Sequence, residues 1–143
     1  MEFSLLSRIT LYVIIGLLGL FGLAILWWQV NVLRGRSMSN PDGTSDNWHE
    51  EKHFFGIAVA DIFLAIPVTL AGICLILADF RIGFYLTSLG SFWYLWANIM
   101  TTTNSLKFEN PKITFSWIMV FPFEIVLALA YLVWTLIHFN EVF

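Results

Sequence analysis

Charge is the scarcest property of this 143-residue chain: Asp, Glu, Lys and Arg together make up 12% of it, about half of the quarter usual in a soluble domain. So few polar groups cannot coat a water-exposed globule, which excludes an ordinary soluble enzyme or binding module. The seven Lys and Arg are scattered and the net charge is only −3, so the basic footprint that nucleic acid requires is missing. Cysteine is almost absent. Cys74 stands alone inside an apolar run, and one thiol excludes an intramolecular disulfide, dithiol redox chemistry and a cysteine zinc site.

Apolar length is what the chain has in abundance. Hydrophobic residues make up 59% and aromatics 17%, and they gather into four runs, Ile9 to Leu33, Phe54 to Leu77, Phe84 to Leu106 and Ile113 to Phe139. Each approaches the roughly 20 residues that a bilayer-crossing helix needs. The first is too long for the apolar stretch of a signal peptide, lacks a basic segment ahead of it and ends in Trp27 and Trp28, so it reads as a retained helix. The expectation is an all-α integral membrane protein, residues 1–143 forming one transmembrane domain, with the lipid bilayer as its first partner. Short second and third connections, Ala78 to Gly83 and Lys107 to Lys112, force antiparallel neighbours and an up-down bundle of four transmembrane helices.

The first connection is longer, 20 residues from Arg34 to His53. Asn40-Pro41-Asp42-Gly43 suits a turn, and Ser45, Asp46 and Asn47 offer helix caps. Capping there starts the second helix near residue 46 rather than 54 and makes it about 48 Å long, so its N-terminal end extends above roughly 30 Å of hydrocarbon. Connections 34–53 and 107–112 carry five Lys and Arg against two elsewhere. The positive-inside rule places them in the cytoplasm and both termini outside.

Two acids interrupt the apolar runs. Asp61 lies seven residues past Phe54 and Glu124 eleven past Ile113, which puts them about 11 and 17 Å deep from one common face. A carboxyl among lipid tails is costly enough to be a functional candidate by default. No Lys or Arg shares that depth, and two facing carboxyls without a cation share a proton. Asp61 and Glu124 are therefore the candidate catalytic or binding acids. Helical spacing brings Asn98, Thr101, Thr102 and Tyr94 of helix three, and Trp117 and Tyr131 of helix four, to support them. Thr87, Ser91 and Ser105 extend the helix-three stripe along its length, and Glu50, Phe54, Asp61, Ala65, Val68 and Gly72 line up on helix two. Gly16, Gly19 and Gly22 would allow close packing of helix one. Pro67 and Pro122 free the carbonyls of Phe63 and Ile118, which a cation or polar ligand can use.

His49-Glu50-Glu51-Lys52-His53 fits H-E-x-x-H, the spacing at which two imidazoles one helical turn apart bind zinc while the Glu activates water. A zinc or other divalent site would use His49 and His53 with Glu109, or with Asp42 or Asp46 folding back, and Glu50 as base. Asp61 is excluded as a ligand because it lies about 12 Å further along the helix. No other cofactor is implied.

Four functions fit. The leading one is binding or acid-base conversion of a lipophilic small molecule at Asp61 and Glu124, walled by Trp93, Trp96, Trp117 and Tyr131. The others are a proton or cation transporter using the same acids as a homo-oligomer, a structural subunit of a larger membrane complex, and a zinc membrane hydrolase.

Overall fold

In the computed structural model, residues 3–37, 45 and 48–143 are described. The described residues are helical throughout their secondary structure, without strands. Four long helices carry the architecture: α1 (Leu5–Leu33), α2 (Lys52–Leu77), α3 (Ile82–Asn104) and α4 (Phe115–Ile137), followed by the short α5 (Phe139–Val142). Three of them, α1, α2 and α4, are long and apolar enough to cross a membrane. The 23 residues of α3 span about 35 Å, but its polar stripe leaves it less apolar than the other three.

Local chemistry sets the ends. Ser4 caps α1 by accepting the Ser7 N–H at 3.1 Å, and Thr114 caps α4 by accepting the Trp117 N–H at 3.1 Å. At the far end of α1, Gly35 takes φ +69°, its N–H reaches the Val32 carbonyl, and the next N–H, of Arg36, reaches Asn31. That paired closure needs a left-handed residue, which glycine supplies without strain. Asp79 (φ 62°) closes α2 in the same way, with Phe80 bonded back to Leu75.

Two irregularities flank the acids. α2 widens into a π-helical turn over Asp61–Ala65, just ahead of Pro67, and α4 breaks at Phe121, ahead of Pro122. Proline has no N–H to donate to the preceding turn, so the ladder loosens there. The inserted residue also rotates the remainder of the helix. Beyond Ala65 the buried line of α2 runs through Ile66, Thr69, Gly72, Ile73 and Ile76, so Val68, expected on the acid's face, turns toward the outside.

Each long helix packs on two neighbours, α1 and α3 both contacting α2 and α4, so the acid-bearing helices α2 and α4 stand on one diagonal. The tightest approach joins α2 to α3. A Cβ on Gly83 would lie 2.6 Å from the Gly72 carbonyl oxygen, and one on Gly90 would strike the Thr69 hydroxyl. Glycine allows this contact only because it has no side chain. The glycines of α1 do not play the expected part, since Gly16 has open space and Gly19 and Gly22 have ordinary clearance of 3.6 Å. One apolar cluster, including Leu18, Phe84, Tyr131 and Trp134, fills the end nearest the termini. Another, including Trp48, Phe54, Trp117 and Phe121, fills the opposite end. The polar site lies between them.

α2 begins at Lys52, with Glu51 as a non-helical cap residue. The extension to Asp46 is thus shortened to the turn containing His53. The expected turn at residues 40–43 and the caps Asp46 and Asn47 lie outside the described residues.

Candidate functional site

A cavity of about 120 Å³ opens between the four long helices and the turn before α2. Asp61 and Glu124 both line it, as do Gln29 of α1 and Asn98 and Thr101 of α3. The depth count from sequence therefore corresponds to a shared site. Asp61 is 3% exposed and Glu124 1%.

Hydrogen bonding distributes donors from one diagonal onto acids of the other. Gln29 Nε2 donates to Asp61 Oδ2 at 2.7 Å, and Trp93 Nε1 donates to Asp61 Oδ1 at 2.7 Å. Asn98 Nδ2 donates to Glu124 Oε2 at 2.8 Å. The second Asn98 bond, to the Tyr94 carbonyl at 2.9 Å, anchors that amide to its own helix. Glu124 also falls in the first turn of the helical segment that restarts at Pro122, where backbone N–H dipoles face a carboxylate. Its Oε1 is buried and has no partner among the described residues, and the same is true of Gln29 Oε1. Both side chains line one cavity. Buried acceptors are normally satisfied, so two left over in one cavity mark a place for donors from water or a ligand.

Aromatic rings form much of the rest of the wall, beside the aliphatic Ala24, Ile25, Ile57, Ala97 and Val120. Trp48 folds back from the first connection, stacks on Phe54 with ring centroids 4.5 Å apart, and lies 6.0 Å from both Trp28 and Phe121. Trp28, Trp48, Phe21, Tyr94 and Phe121 all line the cavity. The indole N–H groups of Trp28 and Trp48 are buried without a protein acceptor among the described residues. Outside, Trp93 also borders an apolar groove with Leu64, Val68, Leu89 and Phe92. Its indole thus separates Asp61 from that groove.

The remaining expected residues divide. Tyr94, Asn98 and Thr101 reach the cavity, whereas Thr102 is buried beside it and does not line it. Trp117 packs on Phe121 and donates to Ser105 Oγ at 3.4 Å. Tyr131 belongs to the other apolar cluster, where its hydroxyl donates to the Phe84 carbonyl at 3.2 Å. Neither Phe63 nor Ile118, whose carbonyls the prolines free, lines the cavity. Gln29, Trp28 and Trp48, with Phe21 and Phe121, line the cavity without having been assigned to the site from the sequence. Gln29 was visible, with Asn31, as one of two amides near the end of an apolar run, and Trp48 as the single aromatic of the first connection.

His49 and Glu50 occupy the turn ahead of α2, and His49 Nε2 lies 3.7 Å from Glu50 Oε1. The helical spacing of H-E-x-x-H is lost, because only His53 is in the helix. His53 and Glu109 border a separate pocket with Glu51, and Glu109 accepts from Ser105 Oγ at 2.7 Å. Among the described residues no three His, Cys, Asp or Glu side chains are grouped to hold a metal. The alternative donors Asp42 and Asp46 lie outside the described residues.

No protein-family model, curated protein or solved structure matches this chain.

Proposed function

We propose that the chain is an integral membrane protein of four spanning helices whose carboxylate-lined cavity binds the polar end of a lipophilic small molecule. The observation that carries this reading is the pair of unpartnered, buried acceptors, Glu124 Oε1 and Gln29 Oε1, in one cavity with Asp61. The Trp28 and Trp48 indole N–H groups and the Tyr94 hydroxyl on the same cavity also lack partners among the described residues, so the cavity calls for water or a polar head that meets the acceptors with a donor or a positive charge. A cavity of 120 Å³ is well below the roughly 300 to 1,000 Å³ of pockets that enclose a drug-sized ligand, so it suits a head group or a few waters and not a whole lipophile.

The distribution of polarity supports the membrane reading. Outward side chains such as Leu20, Phe63, Leu64, Phe92, Leu136 and Ile137 are apolar and highly exposed, while Gln29, Asp61, Thr87, Ser91 and Glu124 are buried. Lipid solvates such an exterior, and small residues with interhelical polar bonds hold the interior. Two positive-φ turns, at Asp79 and Asn110, suit tight reversals between α2, α3 and α4. In this reading the connections 34–53 and 107–112 lie on the cytoplasmic side.

Binding accounts for more of the geometry than conduction does. Thr87 Oγ1 donates to Gly83 O at 2.9 Å and Ser88 Oγ to Phe84 O at 2.8 Å, so these two are turned onto their own helix beside the glycine contact with α2, while Ser91 Oγ is buried without a partner among the described residues. They act as packing there, and only Tyr94, Asn98 and Thr101 face the cavity. The test is to purify wild type, Asp61→Asn, Glu124→Gln and the remote control Tyr131→Phe in parallel and compare extracted lipophiles by mass spectrometry. A species retained by wild type and the control but reduced at least tenfold in both acid variants is expected. Equal retention in all four would overturn the reading.

A further inference from the structure

Among the described residues the cavity is lined by two acids and by no Lys, Arg or His. Resting on the reading above, we infer that the bound head is an organic ammonium ion, one whose nitrogen carries alkyl groups. Three independent features lead there. First, the cavity holds two carboxyls and no basic group, and a bound cation can take the place of the proton that two such facing carboxyls otherwise share. Second, each acid is held from one side by neutral amide or indole donors, Gln29 and Trp93 on Asp61 and Asn98 on Glu124. These bonds fix the carboxyl groups in place without neutralising them, and Glu124 Oε1 remains open. Third, the aromatic side chains of Phe21, Trp28, Trp48, Tyr94 and Phe121 line the same cavity, beside aliphatic ones.

The aromatic walls decide between cations. A bare metal ion prefers six or more oxygen ligands at short distance, and no cluster of three ligating side chains exists among the described residues. An alkylated ammonium is larger, weakly hydrated, and attracted to the faces of Trp and Tyr rings. Trp48, with Trp28 and Phe121 each 6.0 Å from it, and Tyr94 supply such faces around the same space. The volume agrees, since a trimethylammonium head is a compact group of the size that so small a cavity can hold. Its apolar chain would then leave the cavity between the helices, into lipid.

The experiment uses the full chain in lipid nanodiscs and two probes, hexyltrimethylammonium and the neutral isostere in which carbon replaces nitrogen. Binding is followed by quenching of tryptophan fluorescence. Wild type should bind the ammonium saturably and at least tenfold more tightly than the isostere. Asp61→Asn and Glu124→Gln should each weaken the ammonium at least tenfold and leave the isostere unchanged, and Trp48→Leu should weaken the ammonium more than the isostere. Equal affinity of wild type for both probes overturns the ammonium assignment while leaving a lipophile site intact. Absence of binding by either probe also overturns the assignment, and only if wild type retains no lipophile either does the broader reading fall with it. The acid variants keep the side-chain shape, and their thermal transitions, measured alongside, separate lost binding from lost fold.

Discussion

Replacing the Asp61 carboxyl should disturb the fold less than replacing the neutral glutamine beside it. In wild type, Asp61 receives two N–H donors, from Gln29 and Trp93 at 2.7 Å each, while Gln29 Oε1 has no partner among the described residues. Asp61→Asn turns one carboxylate oxygen into an NH₂ group. The new donor meets Gln29, whose amide can rotate by half a turn and present the idle Oε1 as acceptor, and Trp93 keeps its bond to the remaining oxygen. Every bond is replaced, so the expected loss is under about 1 kcal/mol. Gln29→Leu has no such repair. It leaves Asp61 Oδ2 buried without a donor, a deficit of about 1 to 3 kcal/mol, equivalent to roughly 4 to 12 °C in Tm for a chain of this length. Thermal unfolding in detergent, followed by tryptophan fluorescence, measures both. A larger loss for Asp61→Asn than for Gln29→Leu would refute the bonding scheme, because it would mean that the acid is held by its charge rather than by these two donors.

Helix packing and topology give further expectations. Gly83→Ala sets a methyl group 2.6 Å from both the Gly72 carbonyl oxygen and the Ile76 nitrogen; neither can move aside without shifting a helix, so unfolding should come easier by about 1 to 3 kcal/mol. Gly16→Ala meets nothing within 4 Å, and the helix preference for alanine should make it neutral or more stable by up to about 1 kcal/mol. The same thermal assay compares them, and equal behaviour of the two variants would contradict the packing. In a Cys74→Ala background, single cysteines at Arg36 and Asn110 should react with a membrane-impermeant maleimide from one side of oriented vesicles, and a cysteine at Phe80 from the other. Labelling of Arg36 and Asn110 sites from opposite sides would rule out four spans.

Much of this arrangement was legible in the sequence because it depends on length and period. The four helices fall within a few residues of the apolar runs, and counting residues from a common face brought Asp61 and Glu124 to one level. What escaped were effects with no periodic trace. The π-helical turn after Asp61 shifts the face of α2 by a residue, so Val68 leaves the line and Thr69 joins it against Gly90. The close glycine contact lies on α2 and α3 rather than on α1, a choice made by which surfaces meet and not by composition. Trp48 belongs to a connection, where no helical period could aim it, yet it closes the cavity over Phe54 and Phe121. The H-E-x-x-H spacing had chemical meaning only on a helix, and the helix starts three residues after His49.

The central claim is that Asp61 and Glu124 serve one cavity that holds one molecule. Native mass spectrometry of the protein released from nanodiscs tests this directly. The expected result is a single small-molecule adduct per wild-type chain that disappears in Asp61→Asn and in Glu124→Gln alike, with both variants folded. An adduct that survives in either variant, or a ladder of adducts unaffected by both, would contradict it.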